Sequence, residues 1–261
     1  MITSSSNAKV KLVRRLQADR RFRSREQRFV VEGTRWLTEL VKMKLPPELL
    51  FYTQRWLETA VHAQILQQLN SLGQSTPLLV SDDVMQAMSD TSTPPGILAV
   101  LPMQPPPLRP NPTLLLVLDA INTPGNLGTM LRTAGAAGVD GVLLAPDCVD
   151  LYNPKVVRGS MGSHLRLPVY SQTWDEIANT VQTMQVWLAT IQAETAYTAV
   201  NWTQPSALII GSEAAGASEA ARKITHQHLT IPMHAATESL NAAVAAGVIL
   251  FEAARQRRKS Q

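Results

Sequence analysis

Three short segments of this chain carry residue types able to do chemistry on a polar substrate. The first runs Asn122-Thr-Pro-Gly-Asn126-Leu-Gly-Thr-Met-Leu-Arg132-Thr-Ala134, with Asn126 and Arg132 six positions apart, roughly one and two-thirds turns at a helix start. Arg132 stands among Met130, Leu131 and Ala134, where an unpaired guanidinium would be costly. The second, LIIGSEAAG (208–216), reads as a buried strand ending in a glycine turn that projects Glu213. The third, IPMHAATESLNAAVAAG (231–247), reads as a strand end, a loop, and an alanine-rich helix opened by Ser239 and Asn241. Taken singly, each also fits ordinary turn and capping chemistry, with Ser239 as an N-cap and Gly211 as a strand stop.

Other chemistries lack their residues. No GxGxxG turn follows the strand at 114–118, where Pro124 occupies the turn, and no GxxxxGK[ST] occurs, so the standard nucleotide-binding motifs are missing. The single cysteine, Cys148, can form no internal disulfide, and it reads as a small core residue. His164, His226, His228 and His234 do not fall at metal-ligand spacings, so no metal is expected. The longest apolar run, 242–251, is ten residues, about half of the roughly 20 that a membrane span requires, and no secretory signal opens the chain. With 261 residues, 45% hydrophobic and 17% charged, the composition is that of a globular, cytoplasmic protein without a membrane partner.

The elements that must position these segments follow from the hydrophobic pattern. Prolines at 102, 105, 106, 107, 110 and 112 exclude a helix or a central strand there, and mark an extended linker. The expected division is a domain over 1–105, a linker over 106–112 and a second domain over 113–261. Before the linker, a helix capped by Ser6 precedes strands at 29–31, 49–52, 77–80 and 97–101. Helices at 34–43, 56–72 and 82–88 lie between them, a small α/β module. After it, apolar strands at 114–118, 141–144, 167–170, 186–191, 207–210 and 229–231 alternate with helices at 127–137, 154–161, 174–184 and 219–225. A long helix over 239–257 closes the chain. Such alternation predicts a parallel sheet covered on both faces.

Charge is distributed unevenly. Residues 1–45 hold twelve Lys and Arg against four acids, a net of +8, while the whole chain carries +4. A basic segment on a near-neutral body suits phosphate binding, and Lys9, Arg20, Arg21, Arg23 and Arg25 are its candidate contacts. The basic C-terminal residues Arg255, Arg257, Arg258 and Lys259 suit a helix C-terminus.

The three segments, in this order and at these spacings, resemble the three motifs of the SpoU (TrmH) family of RNA ribose 2′-O-methyltransferases, within the SPOUT superfamily. The pieces SSSNAKVK, FVVEGTRWL and SDTSTPPGILAV resemble the ribosomal-protein-like RNA-binding domain that many members carry. The resemblance implies an α/β fold whose C-terminal segment makes a trefoil knot, an exception to the unknotted rule. It implies S-adenosylmethionine as cofactor, bound by Thr190, Gly211, Ile231, Met233 and Leu240. It implies Asn126, Arg132, Glu213, Ser239 and Asn241 as the catalytic set. In that reading Arg132 acts on the ribose 2′-hydroxyl, either as base or by lowering the hydroxyl's pKa, and the sequence leaves both open. Ribosomal RNA of the large subunit is the expected substrate and a homodimer through the knotted domain the expected assembly. Transfer RNA is the alternative substrate, and a non-catalytic ribosome-assembly factor the alternative of another class.

Overall fold

The computed structural model describes every residue except 74–75, 214, 226, 235–238 and 260–261, and the side chain of Lys259 is also left aside. Contacts divide the chain into two compact units, one of Met1–Gln104 with Tyr152–Arg158, the other of Pro105–Leu151 with Gly159–Gln261.

The first unit begins with α1 (Ala8–Ala18) and α2 (Arg20–Glu26), then β1 (Arg28–Glu32), α3 (Thr34–Met43) and β2 (Leu49–Thr53). It continues with α4 (Gln54–Leu57), α5 (Ala60–Ser71), β3 (Leu78–Val80), α6 (Asp82–Met88) and β4 (Ile97–Pro102). The sheet order is β1-β4-β2-β3, with β4 antiparallel to both neighbours and β2 parallel to β3. The helical spacing of Val10, Val13 and Leu16 places all three on one buried face of α1, against Phe22, Phe51, Met85 and Met88. The cap of α1 is Asn7, whose side chain accepts from the Lys9 amide, and not Ser6. The single helix expected over 56–72 is two, because the chain leaves helical geometry between Leu57 and Ala60. Tyr152 and Arg158 belong here through a tilted ring contact with Phe29 at 4.8 Å and an ion pair with Asp90 at 2.6 Å.

The second unit contains β5 (Leu114–Leu118), α7 (Pro124–Ala137) and β6 (Gly141–Leu144). After α8 (Pro154–Ser160), where the two units meet in sequence, come β7 (Val169–Ser171), α9 (Trp174–Val181), β8 (Gln185–Ala189) and β9 (Ser206–Ile210). The last elements are α10 (Glu219–Ile224), β10 (Gln227–Leu229) and α11 (Ala242–Lys259). Among the described residues its six strands are all parallel, in the order β10-β8-β9-β5-β6-β7. β5 and β9 are buried along their whole lengths, as central strands covered on both faces must be, so their sequences are unbroken apolar runs. The strand order reverses between β5 and β9, which opens a crevice at the carboxyl ends of the strands.

The proline-rich segment runs along this unit. Tyr170 Oη donates to the Pro106 carbonyl at 2.8 Å, Leu108 packs into the core beside Leu115 and Val181, and Arg109 pairs with Asp140 at 2.7 Å. Prolines carry no N–H, so the segment needs no ladder partners to lie there.

Candidate functional site

A cleft of about 770 Å³ lies at the carboxyl ends of this sheet's strands. Its floor is the ends of β8, β9 and β10 (Leu188, Ile210, Leu229), and its walls are the 211–217 loop, residues 231–233 and the start of α11. Thr190, Gly211, Ile231, Met233 and Leu240 all line it, although they come from four different stretches of chain. Gly211 is required for a reason that sequence reading did not find. A Cβ there would lie 2.6 Å from the Ala217 nitrogen and the Gly216 carbonyl carbon, so the backbone that approaches it closely is the chain's own. The loop is closed by a reciprocal pair of bonds, Ser212 N to Gly216 O and Gly216 N to Ser212 O, each 2.9 Å, and Glu213 stands between them.

Glu213, Ser239 and Asn241 also line the cleft. Asn126 joins them through Asn241, whose Nδ2 donates to Asn126 Oδ1 at 3.2 Å. The Asn241 oxygen accepts from the amides of Ala243 (2.9 Å) and Val244 (3.3 Å), so Asn241 is the N-cap of α11 and the link to α7 at once. Ser239 is therefore not the cap; it lies exposed on the cleft wall, and α11 starts later than expected. Thr123, in the N-cap position of α7, donates its hydroxyl to Glu213 Oε2 at 3.2 Å. Arg132 does not sit in an apolar setting. It is exposed on α7, roughly one and two-thirds turns on from Asn126, and makes no hydrogen bond or ion pair with any described residue.

Residues 113–251 match the SpoU rRNA Methylase family. The chain belongs to that family. A second match, residues 7–99, is to the MRM3-like substrate binding domain. Among similar proteins, an uncharacterized tRNA/rRNA methyltransferase of Synechocystis is 36% identical over 98% of this chain and 93% of its own length. The 23S rRNA (guanosine(2553)-2′-O)-methyltransferase RlmP of Bacillus subtilis is 32% identical over 96% of this chain and 97% of its own. An AdoMet-bound rRNA methyltransferase from Sinorhizobium meliloti superposes with a TM-score of 0.85 at 26% identity, covering 97% of both chains.

In this SpoU chain the basic residues of the first unit divide into two kinds. Lys9, Arg20, Arg21 and Arg25 are exposed, although Arg25 pairs with Glu26 at 2.8 Å. Arg23 is only 3% exposed, and its Nη1 donates to the carbonyls of Leu16 (2.7 Å) and Gln17 (3.0 Å) at the end of α1. It satisfies carbonyls that the helix end leaves open, so its expected role as an RNA contact is corrected to a structural one. Asp19 caps α2 by accepting from Arg21 N and Phe22 N, and the Phe22 amide foremost holds its carboxyl below the usual range. Sequence reading missed a groove of about 560 Å³ in which Lys11, Arg14 and Arg15 face Ser89 and Asp90.

Two further titratable candidates, Cys148 and His164, are structural, whereas His228 lines the cleft. Burial pushes the Cys148 thiol up to about 11 and His164 down to about 4. The His164 ring is held between Ser160 Oγ (2.5 Å) and the Leu151 carbonyl (2.7 Å). Among the described residues no group of three His, Cys, Asp or Glu could hold a metal ion, and no helix is long and apolar enough to cross a membrane. His226 lies outside the described residues.

Proposed function

We propose that this chain transfers a methyl group from S-adenosylmethionine to a ribose 2′-hydroxyl of ribosomal RNA, most plainly that of the large subunit, as the name of its Bacillus relative states for that protein. The observation that carries the reading is the meeting of Asn126, Glu213 and Asn241 at a cleft walled by Thr190, Gly211, Ile231, Met233 and Leu240. The residues fit the cofactor. The volume lies within the range of small-molecule sites, and the apolar side chains suit a flat base. Among the described lining residues Glu213 is the single carboxylate and Arg222 the single arginine or lysine, a set compatible with a zwitterionic amino-acid end.

When bound, S-adenosylmethionine supplies a methyl carbon activated by its sulfonium. The chain's task is to hold the 2′-oxygen in line with that carbon and to take charge of its proton, since correct placement alone removes much of the barrier. The 2′-oxygen would take the methyl group, S-adenosylhomocysteine would leave, and the hydroxyl proton would pass to solvent water. Arg132, free of partners within the described chain, acts on that hydroxyl; the guanidinium's positive charge and its donor-only N–H groups favour electrostatic activation over literal proton abstraction. Asn241 and Asn126 fix the start of α11 against the helix that bears Arg132, and Glu213 is set by Thr123.

The first domain, 1–105, selects the RNA through Lys9, Arg20, Arg21 and Arg25, and the second, 113–261, beyond the 106–112 linker, carries the chemistry. The final stretch threads a trefoil knot. In support, Thr230 lies between Thr195 and Tyr197, donating to the carbonyl of one and accepting from the amide of the other, before the chain returns to α11 on α7. Two copies pair through this unit. Ala242, Ala243 and Ala246 are buried within the chain rather than available for that contact, but Leu240, Val244 and Phe251 are exposed (37%, 52% and 46%) along the same helix and its approach. The enzyme works in the cytoplasm.

The test is methyl transfer from labelled S-adenosylmethionine to total RNA, followed by mapping of 2′-O-methyl positions. Label on one ribose of large-subunit RNA is expected. Label on transfer RNA alone would move the reading to that substrate, and RNA binding without transfer would make the chain an assembly factor.

A further inference from the structure

We propose that Asp119 is a positioning residue that keeps the Glu213 loop in register with the segment bearing Asn126 and Arg132; the inference rests on the catalytic reading of that cleft. Asp119 follows the last residue of β5 and is 1% exposed. Its amide continues the β5–β9 pairing by donating to the Ile210 carbonyl at 3.0 Å. Its Oδ2 accepts from the Ser218 amide at 2.6 Å, the short length of a charge-assisted bond. A buried carboxylate is expensive unless it is bonded, so its presence at this point calls for a structural use.

The use follows from what Ser218 ends. The 211–217 loop forms one wall of the cleft and carries Glu213, and it is anchored at both ends. Gly211 meets the backbone of Gly216 and Ala217 with no room for a Cβ, and Ser218 starts α10, its own hydroxyl accepting from Ala221 N at 3.2 Å. Asp119 therefore fixes the point at which the loop turns back into the fold. Immediately after it, Ala120 adopts a left-handed conformation (φ +52°) that turns the chain toward Asn122 and Thr123. Thr123 in turn holds the Glu213 carboxylate at 3.2 Å. One five-residue stretch, Asp119 to Thr123, thus grips the loop both at its base and at its tip, and the same stretch leads straight into α7 with Asn126 and Arg132.

A loss of this tether should loosen cofactor binding and slow transfer without touching RNA affinity. Asp119→Ala is expected to weaken S-adenosylhomocysteine binding about tenfold and to lower kcat. The KM for RNA should stay within about twofold, and Asp119→Asn, which keeps an acceptor, should recover most of the loss. A second pair of variants covers the case in which Asp119→Ala does not fold. Ser218 has φ −65°, which proline can adopt, so Ser218→Pro removes the donated N–H with little strain. Ser218→Ala removes only the cap hydroxyl, so the gap between the two in S-adenosylhomocysteine affinity reads the tether. The proposal is overturned if that gap is under about twofold, or if Asp119→Asn is as impaired as Asp119→Ala. A wild-type chain that neither binds S-adenosylhomocysteine nor methylates RNA would instead overturn the catalytic reading itself.

Discussion

In the second unit the functional side chains stand on loops past the carboxyl ends of β8, β9 and β10 and on α7, which follows β5, whereas in the first Lys9, Arg20, Arg21 and Arg25 lie on the outer faces of α1 and α2. The second arrangement needs a concave site, because a reaction between two bound groups depends on placement to a fraction of an ångström. Segments rooted in a parallel sheet with buried central strands provide it, and they are cross-tied to one another by Asn126–Asn241 and Thr123–Glu213. Contact with a phosphate backbone asks only for positive charge at the surface, which a helix face supplies once its apolar side is buried. One unit is thus exacting about geometry, while the other is exacting only about which arginines remain outside.

The largest effect should come from Arg132. Arg132→Ala is expected to lower kcat by 10²- to 10⁴-fold, about 3 to 5 kcal/mol of barrier. Cofactor affinity should stay within about twofold, and lysine should restore little because it lacks the planar fork. Retention of more than about a tenth of the rate would remove Arg132 from the chemistry and leave the exacting unit without its reactive group.

A pH titration sharpens the same side of the comparison. His164 is buried and its folded pKa is pushed down from 6.5 to about 4, so the native state keeps it neutral. As pH falls below 6.5 the unfolded chain takes up a proton that the folded chain refuses until about pH 4, so stability is lost across that window. The loss approaches about 3 kcal/mol at the acid end, by the usual free energy per pKa unit. Denaturant unfolding at several pH values checks it: wild type should lose stability over that range more steeply than His164→Gln. Parallel curves would mean that His164 is not the group responsible.

The smallest effects separate the two kinds of arginine in the first unit. Changing Lys9, Arg20 and Arg21 together to Ala should flatten the log–log dependence of RNA affinity on salt by about 2 to 3 units, through lost counterion release, with stability nearly unchanged. Arg23→Ala should do the reverse. It leaves two carbonyls at the end of α1 without their donor, at a cost of about 1 to 3 kcal/mol in unfolding experiments, and does not alter the salt slope directly. If Arg23→Ala flattened the slope while stability held, the division between buried and exposed arginines would be wrong.

The alternation of apolar strands and helices, the docked proline segment's lack of helix or strand, and the three motifs with their residues are all legible in the sequence. They rest on local periodicity, on proline's missing N–H, and on residue types in a fixed order. The burial of Val10, Val13 and Leu16 on one face of α1 is of this kind. What the sequence could not settle depends on contacts between distant residues. Arg20, Arg21 and Arg23 look alike in a basic run, yet only the return of α2 against α1 places the guanidinium of Arg23 on the carbonyls of Leu16 and Gln17. Ser239 and Asn241 are both good caps by type, and the partner at Asn126, on a helix more than a hundred residues earlier, goes with Asn241. Asp119 reads as the end of a strand until Ser218, which caps the helix after the neighbouring strand β9, is seen donating to it. Composition and period fix which face of an element is buried, because that depends on its own residues; which polar group meets which is decided when separate elements pack, because each bond requires a partner supplied from elsewhere in the chain.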